Sequence, residues 1–217
     1  MSDPVNLALS GLSSLGWLGW WGIFAASLLS LDTVGCGQFM LGRPIVMGPA
    51  LGMILGHPIP LAVFGAIFEL LSLSDLPVGG HVPFNAGIAT AAAGLLVASG
   101  ISFELCFPLG AAFGWLHQKV EIQLRAGRGR LGSIVERRLE RGADCGLGPL
   151  SLRELLKYAA ASLALLCLTA FLSMVIYHYI DAMIPEALRR GLEQGLRLSL
   201  PLALASLLTS FKSVYGL

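Results

Sequence analysis

The chain reads as an all-α, polytopic membrane protein whose helices are partly broken, and three observations predict it. Hydrophobic residues fill 55% of the 217 positions and charged residues only 12%, with a mean hydropathy of +0.77. A soluble domain carries charge at roughly a quarter of its positions, so this chain has too little to cover a water-facing surface. Gly and Pro then cut its apolar stretches into pieces, several of them shorter than the roughly 20 residues that cross a bilayer. Charge is also unevenly placed: of 14 Lys and Arg residues, Arg43 alone precedes Lys119. That asymmetry leaves no basic face for nucleic acid in the first half. The length suits one domain with a handful of spans.

The N-terminus, MSDPVNLALSGLSSLGWLGWWGIFAASLLSL, lacks the positive segment and the small-residue cleavage site of a secretory signal. The apolar run from Trp17 to Leu31 is therefore expected to stay as a membrane segment. Trp17, Trp20 and Trp21 stand at its start, where amphipathic rings favour the headgroup boundary. A polar Gly-rich link, DTVGCGQFMLGRP, follows. Pro44 to Gly56 is apolar but covers only part of a crossing; His57 to Pro60 (HPIP) breaks it, and Ile59 to Leu73 resumes. Two short stretches around such a break form a re-entrant hairpin, which a membrane tolerates only where the irregular backbone is buried in protein or faces water.

Asn85 to Ser99 carries Gly87, Ala91 and Gly94 at helical spacing, small residues that let helices approach closely. Ile101 to Leu116 follows, with Glu104 and Pro108. The pieces LGMILGHPIPLAVFGAIFELL and AGLLVASGISFELCFPLGAAF share one layout, the duplication of broken segments that inverted-repeat carriers display; Ala/Gly/Leu-rich composition produces the same look. From Lys119 to Arg141 the character changes: seven basic residues stand against three acidic ones among Val, Ile and Leu. This reads as a surface amphipathic stretch broken near GRGRLG, and its excess of Lys and Arg places it in the cytoplasm. It serves either as a docking face for a soluble partner or anionic headgroups, or simply as the linker that sets topology. Ser151 to Ile180 holds the clearest single membrane helix, with Tyr177, His178 and Tyr179 as an interfacial anchor at its far end. IPEALRRGLEQGLRL, with Pro185 at a helix start, and LSLPLALASLLTSF complete the chain. Three regions result: a broken-helix region at 1–117, a basic cytoplasmic linker at 118–150 and C-terminal membrane helices at 151–217.

Cys36, Cys106, Cys145 and Cys167 form no CxxC and have no His at ligand spacing, so metal and redox readings fail; they read as small buried apolar residues. No cofactor is expected. Polar chemistry concentrates between Leu31 and Gly100, where Asp32, Gln38, Arg43, Glu69, Asp75, His81 and Asn85 interrupt otherwise lipid-grade sequence. An acid such as Glu69, set in IFELL, is expensive in hydrocarbon and persists where it is paired or lines a wet cavity. Polar groups beside broken apolar segments are the pointer to a transporter's binding site. A chain that moves a polar solute across a membrane is the reading these residues support.

The same seventy residues carry a resemblance. Leu31 and Asp32, then Gln38-Phe39 with Arg43-Pro44, then Gly52 to Gly56, then FELLSL around Glu69, then VGGHVPFNAGIATA with Gly79, Gly80, Pro83 and Asn85, follow one another in the order of a family. The chain resembles the IIC membrane component of the mannose/fructose/sorbose family of bacterial phosphotransferase systems. The resemblance implies a sugar permease subunit in the bacterial cytoplasmic membrane, multi-pass, with re-entrant hairpins and an elevator-like moving core. It also implies a homologous IID membrane subunit, a soluble IIA/IIB phosphocarrier, and a homo- or hetero-oligomer. None of the four His is placed as a phosphoryl carrier and no P-loop appears, so the chain is not expected to be catalytic alone.

For sugar recognition the candidates are Glu69, Asn85, Gln38, His81, Asp32 and Arg43, which supply the acceptors, amides and donors that face vicinal hydroxyls. Each also has a structural reading: Asn85 and Asp75 as helix caps, His81 bonded to a loop carbonyl, Arg43 paired with Asp32. The C-terminal apolar part is shorter than the family's, which motivates an alternative: a non-transporting membrane sensor of sugar or of the phosphotransferase system. A neighbouring IID-like gene favours transport, and an isolated gene favours sensing.

Overall fold

The computed structural model describes residues 16–35, 38–73, 75, 79–141, 147–180 and 183–215. They form seven α-helices and no strand among the described residues: α1 (Gly16–Leu31), α2 (Pro44–Leu55), α3 (Pro58–Ser72), α4 (Ala86–Ala98), α5 (Phe103–Glu140), α6 (Leu147–Val175) and α7 (Glu186–Tyr215). A single π-helical turn, Ile176–Ile180, extends α6. Residues 1–15, on which the absence of a signal sequence rests, and Cys36 and Cys145 lie outside the described residues. Cys106 is buried and Cys167 half-buried.

The broken pattern in the sequence becomes two helical hairpins. Pro44 begins α2, where its missing N–H costs nothing, and Gly56 ends it in the left-handed conformation at φ 80°. Pro58 then begins α3. With 12 and 15 residues, the two helices reach about 18 and 22 Å at 1.5 Å per residue, short of a hydrocarbon core of roughly 30 Å. The second hairpin repeats the device: α4 ends at Ala98, Gly100 turns at φ 85°, and α5 starts at Phe103. Both hairpins run in the same sense, because a Cβ on Gly87, at the start of α4, would lie 2.5 Å from the carbonyl of Gly42, just ahead of α2, while one on Gly94 would lie 2.6 Å from Leu61 beside the tip. The sequence repeat is thus parallel rather than inverted. We call the level of Arg43, Glu69 and Asn85 the base and the level of Gly56 and Gly100 the tip.

Helix α4 is the axis of the body. Every residue from Ala86 to Leu96 is buried, as an all-apolar helix of small residues requires. Ile88, Ala91, Ala92 and Leu95 pack with α1, α2 and α6, while Ala86, Ala89, Ala93 and Leu96 pack with α3, α5 and α7. Phe64 stacks on Phe103 with centroids 4.4 Å apart, and Phe68 on Phe107 at 5.1 Å, which ties α3 to α5. Ser27 Oγ donates to the Ala159 carbonyl at 3.0 Å, and Ser99 Oγ to Ser173 Oγ at 3.0 Å, fixing α6 against α1 at one end and α4 at the other. Trp17, Trp20, Trp21 and Phe24 stay exposed on α1, towards the tip.

Two elements differ from the sequence reading. GRGRLG does not break the basic stretch, because α5 runs unbroken from Phe103 to Glu140. Its 38 residues are about 57 Å long, and the first half is already nucleated against α4, so continuing through three glycines costs only propensity. Likewise α7 passes through Pro201 as one helix. Beyond the base, the distal part of α5 runs beside the start of α6 as a helical arm. One helix stretch, Gly148–Ser173, is long and apolar enough to cross a membrane by itself.

Candidate functional site

Three chain segments converge at the base. The first is the α1–α2 link, organised by Asp32. This carboxylate is 5% exposed and accepts the backbone N–H of Phe39 at 2.7 Å, of Leu41 at 2.8 Å and, more weakly, of Gly42 at 3.5 Å. The link needs that hold, since Gln38 at φ 52° and Met40 at φ 65° sit in the left-handed region, a conformation that costs a non-glycine residue of order 1 kcal/mol. Asp32 therefore shapes the loop, and its lone pairs are committed to backbone. It does not pair with Arg43.

The partner of Arg43 is Glu69. Arg43 Nη1 lies 3.0 Å from Glu69 Oε1, and Glu69 Oε2 accepts the Ile45 N–H at 3.4 Å. The carboxylate at the end of α3 thus occupies the N-terminus of α2, whose own cap residue, Arg43, offers no side-chain acceptor. The helix dipole and the free N–H favour an anion there. Glu69 is buried, with its side chain 8% exposed, whereas that of Arg43 is 49% exposed. The guanidinium keeps donors facing outward, and the exposed Gln38 stands on the same link.

Asn85 carries the third segment. Its Oδ1 accepts the Ile88 N–H at 3.0 Å and caps α4, which fixes the amide's orientation and turns Nδ2 towards His117 Nδ1 at 3.0 Å and the Tyr158 hydroxyl at 3.2 Å. Since Nδ2 can only donate, His117 Nδ1 accepts and Nε2 carries the proton, donating to Ser162 Oγ at 2.9 Å. His117, Tyr158 and Ser162 are all essentially buried. The network joins α4, α5 and α6, and it leaves the amide of Asn85 little capacity for another ligand. His81 stands apart in the α3–α4 link, 2.7 Å from Asp75 rather than on a loop carbonyl. The Phe84 N–H on Asp75 Oδ2, with help from His81, holds that carboxyl below its ordinary value.

The six predicted residues therefore divide. Arg43 and Glu69 pair at the mouth of the first hairpin; Gln38 stands exposed on the link that leads to Arg43, without a contact to either; Asp32 holds that link, Asn85 caps α4, and His81 sits on the α3–α4 link. Chemically, a buried acceptor beside a half-exposed fork of donors matches vicinal hydroxyls, each of which both donates and accepts. Among the described residues no group of three or more His, Cys, Asp or Glu is placed to hold a metal ion.

This architecture can be set beside known proteins. The family model described as the sorbose-specific IIC component of the phosphotransferase system matches residues 18–205. The chain belongs to that family. No curated protein matches it. Among solved structures, one titled "Structure of membrane protein" is similar with a TM-score of 0.73 at 16% identity, covering 90% of this chain and 80% of that one. A second, the cryo-EM structure of the mannose transporter ManYZ in complex with microcin E492, has a TM-score of 0.52 at 17% identity, covering 91% and 80%. At such identities the likeness is one of fold. For this IIC-family chain it corroborates the all-helical membrane architecture.

His117, Tyr158 and Ser162 escaped the sequence reading, although a signal for two of them was present. Tyr158, Ser162, Leu165, Leu166, Thr169, Ala170 and Ser173 recur at helical spacing along the otherwise apolar α6, and all are buried. Such a stripe of small and polar residues marks a packed face. Nothing local marks His117, whose partners are 32 and 45 positions away.

Proposed function

We infer that this chain is the sugar-translocating subunit of a mannose-type phosphotransferase system in the bacterial cytoplasmic membrane. A homologous IID subunit completes the pathway, and a soluble IIA/IIB carrier phosphorylates the sugar as it emerges. The sugar is held at the base of the first hairpin, with Arg43 donating to its hydroxyls, Glu69 accepting from them and Gln38 contributing from the link. Asp32 and Asn85 act as positioning residues, the first by shaping the link and the second by anchoring α4, and His81 flanks the site.

The observation that carries this reading is the Arg43–Glu69 pair itself, a buried carboxylate bridging the two ends of a broken hairpin. An acid facing hydrocarbon costs about 2.5–3.5 kcal/mol, and the buried Glu69 is held by the Arg43 guanidinium and the Ile45 N–H. The α2–α3 hairpin and the close-packed α4 support an elevator scheme in which they form the moving core. The basic arm beyond the base is the cytoplasmic side by charge, so the pair lies on the face from which a phosphorylated sugar leaves.

The test is reconstitution. The chain is co-expressed with a IID-like neighbour, the complex is purified with the phosphocarrier, and phosphorylation of a panel of hexoses is followed. Sugar phosphate formed only when all three components are present is the expected result. Stable, sugar-transporting preparations of this chain alone would contradict the partnership, and absence of any phosphorylation with every component present would contradict the function.

A further inference from the structure

The arm contains a second polar feature that sugar transport does not use. Where α5 passes the start of α6, a cavity of about 420 Å³ opens between the two helices and the residues following α1. Arg128, Leu131, Gly132 and Val135 line it from α5; Leu150, Ser151, Glu154 and Leu155 from α6; Val34 and Gly35 close it. Those positions on α5 follow the i, i+3, i+4, i+7 rule, so one face of the basic helix is turned inward, while Arg125, Arg137 and Arg141 are exposed. Arg128 Nη2 is buried and has no hydrogen-bond partner among the described residues. The acid that shares the cavity, Glu154, is engaged by Lys157 at 2.6 Å.

A buried guanidinium nitrogen without an acceptor is expensive, and the missing partner is an anion. Its chemistry follows from the walls. Five of the lining side chains are Val or Leu, and the volume exceeds ten times the ~30 Å³ share of a water molecule in the liquid. A small soluble anion would leave the aliphatic walls wet. A molecule with a phosphate and the first carbons of acyl chains would satisfy both. The cavity's level agrees: Arg153, Glu154 and Lys157 are the last charged residues before a run, 158–180, without an Asp, Glu, Lys or Arg, which puts the cavity at the cytoplasmic headgroups. Basic pockets between helices at that depth suit anionic headgroups. We propose that Arg128 and the α5–α6 cavity bind the phosphate of an anionic phospholipid, with its proximal acyl carbons against Leu131, Leu150 and Leu155, and that the bound lipid braces the arm against α6.

The test is native mass spectrometry of the full chain, extracted from membranes with any subunit that co-purifies, then titrated with phosphatidylglycerol or phosphatidylcholine. Wild type should retain one phosphatidylglycerol per chain under activation that strips phosphatidylcholine. Arg128→Ala should weaken that retention by about tenfold, the scale of one lost charge-assisted contact. Arg137→Ala, which removes an exposed cation from the same arm, should leave it within about twofold, as for a screened surface charge. Leu131→Trp fills the cavity without touching the charge and should also abolish retention, which keeps the result readable if Arg128→Ala fails to assemble. Equal losses in the Arg128 and Arg137 variants would show diffuse attraction to anionic membranes and overturn the site. Displacement of the lipid by millimolar inorganic phosphate, with phosphate itself bound, would reassign it to a soluble anion.

Discussion

The glycines of the hairpin body and those of the arm have opposite reasons to exist. In the body a methyl group would collide: at Gly65 with the Pro44 carbonyl, at Gly48 with the Leu61 carbonyl, at Gly110 with the Ala89 carbonyl 2.7 Å away, at Gly114 with Asn85 O and Phe84 at 2.8 Å. On the arm, Gly127, Gly129 and Gly132 of α5 would meet nothing within 4 Å. In the body, then, small residues bring helices 12 to 16 residues long into contact along their backbones. That contact replaces the lipid-spanning length they lack, because packing is what associates helices in a membrane. The arm has no such close partners and holds its shape by i,i+4 pairs such as Arg125–Glu121 at 2.7 Å. The lesson is that the packing of the charge-poor body is set by backbone approach, where one methyl group collides, while the glycines of the charge-rich arm have room for a side chain.

Substitutions that reverse these roles break the comparison most sharply. Gly65→Val puts a branched side chain into the α2 backbone, at the turn of α3 just above Glu69. Overpacking against backbone costs about 1–3 kcal/mol or more, so we expect loss of folded protein from the membrane and no uptake, measured by fluorescence-detected size exclusion and sugar transport. A smaller effect is expected at the buried network. His117→Ala removes the acceptor of Asn85 Nδ2 and the donor to Ser162, leaving buried polar groups that cost about 1–3 kcal/mol. The melting temperature should fall, and sugar affinity should fall with it only as far as the base loosens. His117→Gln, which can both accept and donate, should recover most of the stability. On the arm the sign reverses. Gly129→Ala should stabilise, by up to about 1 kcal/mol on helix propensity, with uptake unchanged. A destabilising Gly129→Ala would mean that another chain approaches the arm closely.

The helices were largely legible in the sequence because Pro and Gly mark their ends. Pro44 and Pro58 start α2 and α3, Gly56 and Gly100 stop α2 and the α4 turn, and the expected boundaries of α1 to α4 fall within one residue of those observed. The continuation of α5 through GRGRLG was not legible, since local propensity argues for a break, whereas the helix is carried on from a first half nucleated against α4. At the site, Glu69 was readable from cost alone, an acid that hydrocarbon would reject. Its partner was not, because a single sequence offers both Asp32 and Glu69 to Arg43. The choice rests on Asp32 being held by three N–H groups of its own loop, a constraint set by the left-handed turns at Gln38 and Met40. Asn85 was readable as a cap, yet its bonds to α5 and α6 depend on tertiary contacts with no local mark.

The central claim is that the Glu69 carboxylate holds the sugar as well as the hairpin. Glu69→Gln keeps the shape and one acceptor while removing the charge, and charge-assisted bonds are worth roughly 1.5–3 kcal/mol. The direct measurement is sugar uptake in cells that make equal amounts of the wild-type and Glu69→Gln subunits, with partner association checked by co-purification. The account predicts uptake reduced at least about tenfold with expression and association near normal. Unchanged uptake, or uptake that falls only in step with expression, would contradict it and make Glu69 a clamp for α2 and α3 alone.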